Sequence, residues 1–146
     1  MPDETLSNLY QELLLDHYRR PRNRGKLPNY DVCIEKKNPL CGDEITLQID
    51  FEGDTVANVG FTGQGCAISQ ASASMMTQLL KGRSRAEVEA LARRFTEMLH
   101  GDDAAARDAA LGDLRALAGV SRLPVRLKCA MLAWGALAEA LAAPAK

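Results

Sequence analysis

The chain has 146 residues and a formal net charge of −1. That length suits one domain able to bury a core without covalent staples, and the charge excludes a strong overall field for nucleic acid or anionic membrane. The acidic start, Met1-Pro2-Asp3-Glu4, lacks the apolar stretch of a secretory signal, and the tail from Cys129 to Ala145, interrupted by Glu139, falls short of the ~20 residues of a membrane span. A cytoplasmic protein with no membrane and no nucleic-acid partner is the expectation.

Leu6, Leu9, Tyr10, Leu13, Leu14 and His17 recur at three- and four-residue steps, the stripe of an amphipathic helix that stops before Pro21. The connector Arg19-Arg20-Pro21-Arg22-Asn23-Arg24-Gly25-Lys26 is basic and irregular. It reads either as a solvated loop or as a docking patch for an acidic protein partner. A short strand follows from Tyr30 to Lys37, broken by Asn38-Pro39. Ile45, Leu47, Ile49 and Phe51 then alternate with polar residues, Glu52-Gly53-Asp54 supplies a turn, and Ala57, Val59 and Phe61 complete a hairpin.

After Gly63-Gln64-Gly65 the pattern changes. All 22 alanines lie beyond residue 56, which marks a shift from strands to helices. Cys66 to Lys81 reads as a helix with Met75 and Met76 in the core. Ser84-Arg85-Ala86-Glu87 is a capping box ahead of the stripe Val88, Leu91, Ala92, Phe95, Met98 and Leu99, which Gly101 ends. Asp102 to Arg107 is a polar linker with partial helical character, and Asp113 is placed to cap a short turn reaching Ala118. Pro124 suits the first turn of a last helix, with Leu127, Met131, Trp134, Ala138 and Leu141 as its core stripe. Strands first and helices afterwards predict an α+β domain, a small antiparallel sheet of about three strands with helices packed on one face.

The four cysteines, at 33, 41, 66 and 129, are even in number, but disulfides are a weak reading in a cytosolic chain. Cys41-Gly42-Asp43 puts a thiol and a carboxylate two residues apart on a loop, and zinc accepts both ligand types. Cys66 opens a helix, where the N-terminus stabilises a thiolate. Hairpin geometry returns the chain from Asp43 to near Cys66, and the last helix can deliver Cys129. An S₃O set of Cys41, Asp43, Cys66 and Cys129 would suit zinc or iron–sulfur chemistry. The alternative is that the cysteines are small buried hydrophobes. Cys33, up to ~26 Å of extended chain from Cys41, falls at the far end of the first strand as a structural residue. His17 reads as a hydrogen-bonded core histidine rather than a ligand, and His100 as a solvated residue at a helix end.

Several motifs carry a resemblance. Asp16-His17-Tyr18 with Pro21-Arg22-Asn23, Asn38-Pro39-Leu40-Cys41-Gly42-Asp43, the run Gly65-Cys66-Ala67-Ile68-Ser69-Gln70-Ala71-Ser72-Ala73-Ser74-Met75-Met76, and Lys128-Cys129 are together similar to the IscU/NifU N-terminal family over nearly the whole chain. Within it the chain most resembles the SufU branch. Scaffold members place a histidine where Lys128 stands, and SufU-type members carry an insertion that here falls within about residues 82–118 of one domain, 1–146. The scaffold Leu-Pro-Pro-Val-Lys motif is only partly matched, by Leu123-Pro124-Val125-Arg126. The resemblance implies a SufE/NifU-like fold and a zinc-dependent sulfurtransferase acting with a SufS-type cysteine desulfurase in iron–sulfur cluster assembly. It implies Zn²⁺ held by Cys41, Asp43, Cys66 and Cys129. Ligand exchange frees the Cys41 thiolate to accept sulfur, which passes to downstream Suf assembly proteins. Arg126 matches a basic position near the site, with a docking or Asp43-pairing role. The alternative is an IscU-like scaffold holding a transient iron–sulfur cluster at the same ligands.

Overall fold

The computed structural model describes residues 4–39 and 42–143. Leu40, Cys41 and both chain ends lie outside the described residues, as does the side chain of Leu6. Helix α1 (Glu4–Arg19) leads into three strands, β1 (Val32–Asn38), β2 (Asp43–Glu52) and β3 (Thr55–Gln64). They form one antiparallel sheet in the order β1-β2-β3. Gly53, at φ 61°, makes the β2–β3 turn that a side chain would resist. Alternation does what the sequence pattern predicts. Ile45, Leu47 and Ile49 of β2 sit beside Phe61 and Val59 of β3 on a fully buried face.

Helix α2 (Ala67–Leu80) is the element the rest packs around, with Ser69 to Thr77 buried without a break. Its small residues let α5 (Pro124–Ala142) approach closely. Ser72 Oγ donates to the Ala130 carbonyl at 2.7 Å and accepts from Trp134 Nε1 at 3.2 Å. The capping box at Ser84 opens α3 (Arg85–Leu99), whose Phe95 stacks on Trp134 at 4.7 Å. Asp102 then caps a single turn, α4 (Asp103–Ala106).

Two elements differ from the sequence reading. Residues Ala109–Arg122 form a 3₁₀ segment broken at Gly112. Its buried residues, Leu111, Leu114, Leu117 and Val120, recur every third position, the period at which 3₁₀ side chains eclipse. Asp108, not Asp113, caps it, accepting from Ala110 N at 2.9 Å. In α5 the buried residues are Cys129, Ala130, Leu132, Ala133, Trp134, Ala136, Leu137 and Ala140, while Leu127, Met131 and Leu141 are half-buried and Ala138 is exposed. Trp134 of the expected stripe is buried and Leu127, Met131 and Leu141 pack against the core from its margin, whereas small residues such as Ala130, whose carbonyl accepts from Ser72 Oγ, fill the close contact with α2.

The basic connector is anchored. Arg22 N donates to Ser74 Oγ at 2.7 Å, and Asn23 Nδ2 to Thr77 Oγ1 at 3.2 Å. Asn23 takes a left-handed φ of 59°, so the next residues lie along the outer edge of β3, with Gly25 N donating to the Phe61 carbonyl at 2.8 Å. The connector thereby covers backbone groups that an edge strand would leave open.

Candidate metal centre

Three element ends meet at one corner of the sheet. The β2–β3 register pairs Glu44 with Gln64, which sets Asp43 at the start of β2 beside Gly65 and Cys66 at the end of β3. Cys66 is the N-cap of α2, its sulfur accepting from Ser69 N at 3.4 Å. Cys129 enters from the second turn of α5 and is buried. A ligand atom from each of Asp43, Cys66 and Cys129 lies within 4.8 Å of the other two.

Asp43 is fully buried, and its orientation is fixed from the backbone. Oδ1 accepts from Cys66 N at 2.9 Å, while Oδ2 stands 3.9 Å from Cys66 Sγ. Gly65 makes this approach possible. At φ 150° it favours glycine, and a Cβ there would run into Asp43 Oδ1 and Ser69 Oγ. Arg126, at the exposed start of α5, faces the thiols. A hydrogen bond to Cys129 and the charges of Cys66 and Cys129 hold its guanidinium above the usual arginine range.

The donor set itself tests for a metal. Two thiolates and a carboxylate would place three negative charges in a largely dry corner against one Arg126 guanidinium, a surplus that a divalent cation matches. Soft sulfur with one hard oxygen suits zinc, whose bonds to sulfur are about 2.3 Å and to carboxylate oxygen about 2.0–2.2 Å.

Of the residues singled out from the sequence, Cys41 lies outside the described residues, two positions from Asp43 in the chain. Cys33 is exposed near the opposite end of β1, its Cα partner being Gln48. His17 is fully buried, with Nδ1 2.7 Å from Ser74 Oγ and Nε2 2.8 Å from Asp113 Oδ2. Both ring nitrogens are thus occupied away from the centre. His100 is exposed at the end of α3, its Nδ1 2.8 Å from the Thr96 carbonyl. The two glycines before Cys66 read in the sequence as a sharp backbone turn, but that Gly65 admits Asp43 and that Ser69 donates to the Cys66 sulfur was not read, although a serine three residues after a helix-opening cysteine is the available signal.

Fold and centre define the class, a small α+β domain with a thiol–carboxylate centre where β2, α2 and α5 meet. The chain belongs to the NifU-like N-terminal domain family, whose description matches residues 9–145. It is 44% identical over 140 residues to the zinc-dependent sulfurtransferase SufU of Bacillus subtilis, covering 94% of this chain and 92% of that one. It is 43% identical over 136 residues to the iron–sulfur cluster assembly scaffold protein IscU of Streptococcus pyogenes serotype M1, covering 93% and 84%. Among solved structures, a putative iron–sulfur cluster assembly scaffold protein for the SUF system from Fervidobacterium islandicum AW-1 superposes with a TM-score of 0.82 at 35% identity, covering 89% of this chain and 94% of that one. No helix among the described residues is long and apolar enough to cross a membrane.

Proposed function

We propose that this protein accepts sulfur from a SufS-type cysteine desulfurase for iron–sulfur cluster assembly, with Cys41 as acceptor and Asp43, Cys66 and Cys129 completing a zinc site. The observation that carries the reading is the donor set, two thiols and a buried carboxylate within 4.8 Å of one another, with Cys41 two residues from Asp43 in the chain. Zn²⁺, when bound, supplies a redox-inert centre that keeps its thiol ligands deprotonated and lets one ligand be exchanged for another.

The chain's own residues do the rest. Cys66 N holds Asp43 in place through Oδ1. The Cys41 thiolate attacks the outer sulfur of the desulfurase persulfide. A new S–S bond forms on Cys41, the old one breaks, and the desulfurase thiolate leaves and takes up a proton, with no net redox change. Arg126 offsets negative charge beside Cys66 and Cys129.

The Streptococcus relative's name favours a second reading, a scaffold for a cluster at the same residues. Lys128 counts against it. Its ammonium offers donors and no lone pair where scaffold members carry a histidine. Desulfurase turnover, measured with zinc-loaded and zinc-stripped protein, tests the first reading. Stimulation is expected only from the zinc-loaded form, and Cys41→Ala should abolish it. A Cys41→Ala protein that stimulates like wild type sinks the acceptor assignment. Anaerobic reconstitution followed by transfer to an apo-ferredoxin would establish the scaffold reading instead.

A further inference from the structure

Away from the metal centre, α3 and α5 meet at the Phe95–Trp134 stack, and an open cleft runs along the outer side of that contact. Met131, Trp134, Gly135 and Ala138 line it from α5 over a volume of about 590 Å³. A second cleft of about 300 Å³ shares Arg93 and Ala138 with the first and extends it past Glu89. At about 100° per residue, Met131, Gly135 and Ala138 stand on the side of α5 roughly opposite Cys129, so cleft and centre face different ways. The charges of α3 single out the same place. Arg85 is paired with Asp54, Glu87 with Arg83, and Arg94 with both Glu97 and Asp108. The remaining two, Glu89 and Arg93, are exposed, border the cleft and make no ion pair among the described residues. They stand four residues apart with the glutamate first, the spacing that closes most readily within one helix, yet here it is open.

We propose that this cleft is a self-association surface, in which α3 of a second copy lies antiparallel about a twofold axis and Glu89 of each copy pairs with Arg93 of the other. A twofold contact brings residue i of one copy to residue j of the other and j to i. One acid and one base on the same ridge are what that symmetry requires. A partner surface of one sign would satisfy one of the two groups and repel the other. Ala86 and Ala90 are exposed on the face of α3 that carries Arg93, so nothing bulky holds two such helices apart. Each α3 then seats in the other copy's cleft, and α3 and α5 of the two copies pack as a four-helix arrangement over Met131, Gly135 and Ala138. A charge of −1 on each chain adds little repulsion between copies. The cleft runs along about 16 Å of α5, from Met131 to Ala142, a small interface that suits micromolar association. The proposal is independent of the sulfur-acceptor reading, because the centre stays uncovered on the other side of α5.

Sedimentation equilibrium of the zinc-loaded full chain, over a range of concentrations up to about 1 mM, tests this. Wild type should show a reversible monomer–dimer equilibrium. Glu89→Arg places two cations opposite two cations, and Arg93→Glu two anions opposite two anions, so each alone should raise the dimer Kd by about tenfold or more. Mixed together, the two variants offer Arg to Glu at both positions, and the mixture should dimerise within about threefold of wild type. Recovery in trans separates pairing between copies from any effect inside one chain. Ala138→Glu, which sets a charge on the apolar wall, should also raise the Kd by about tenfold or more. All three sites are exposed, and thermal unfolding with zinc content shows that each variant is folded. Wild type that stays monomeric at every concentration overturns the proposal and leaves the cleft to a helix of another protein. A dimer equally strong in all three variants overturns it as well, since the contact then lies elsewhere. A mixture no tighter than its parents overturns the reciprocal Glu89–Arg93 pairing.

Discussion

Helix α2 carries a polar cluster at its N-cap and another two turns further on, and the two differ in kind. At the N-cap, Asp43, Cys66 and Cys129 converge from three elements. At Ser74, so do His17 from α1 and Asp113 from the 3₁₀ segment. The Ser74 cluster is closed. Both nitrogens of His17 are in hydrogen bonds, Ser74 Oγ also accepts from Arg22 N, and Asp113 also accepts from Gln78 Nε2 at 3.3 Å. The order serine, histidine, aspartate resembles a nucleophilic triad, yet Ser74 and His17 are fully buried, so no substrate reaches them. At the N-cap, acceptors crowd one another and the thiols are weak donors, as the 3.9 Å from Cys66 Sγ to Asp43 Oδ2 shows. A polar cluster whose donors match its acceptors is a strut. One with excess acceptors calls for a cation.

That contrast can be broken by mutation. Cys66→Ala should take zinc from about one ion per chain to nearly none and lower the thermal midpoint, because metal-binding energy is folding energy. Metal analysis and calorimetry check it, and retained zinc would show that the N-cap cluster is not the centre. His17→Ala should do the opposite, leaving zinc in place while costing about 2–4 kcal/mol in denaturant unfolding, through a cavity and an unpaired Ser74. Gly65→Ala falls between them. Its φ of 150° and the collision with Asp43 should cost about 1–3 kcal/mol and also make zinc easier for a chelator to remove. A variant losing stability but not zinc would mean that Asp43 is held by something other than its approach to Gly65.

Local rules account for what was legible in the sequence. Period-two alternation in Ile45 to Phe51, the Ser84 capping box and Pro124 at a helix start each have one physical meaning, and the fold uses all three. His17 was legible as a core histidine from its place on an apolar stripe, but its partners were not, since Asp113 is 96 residues away. The 3₁₀ segment was legible only as a short turn to Ala118, since the every-third-residue spacing of Leu111, Leu114, Leu117 and Val120 was not used. The α5 stripe was right at Trp134 and marginal at Leu127, Met131 and Leu141, but Ala138 is exposed, because the close contact with α2 centres the buried face on Ala130, Ala133 and Leu137. For the centre, Cys66 and Asp43 were linked by hairpin geometry alone. Cys129 needs the packing of α5 on α2, which no local pattern encodes.

The smallest effect belongs to Asp113, and its sign is fixed. Burial pushes its carboxyl up, but hydrogen bonds from His17 and Gln78, with the charges of His17 and Arg22, outweigh that and hold it below the ordinary aspartate range. A carboxyl with a lowered folded value stabilises the protein above its unfolded pKa of about 3.9 and loses that contribution as pH falls through the folded value. Asp113 is one-third exposed, so solvent screening keeps the gain to about 0.5–1 kcal/mol. Asp113→Asn, which can still accept from His17, should therefore be less stable than wild type at pH 7, and the difference should shrink below about pH 4. Denaturant unfolding at a series of pH values measures this, with zinc content at pH 7 unchanged. A difference that stays constant into acid would mean that Asp113 acts through hydrogen-bond geometry alone, so that the strut, unlike the centre, does not depend on charge.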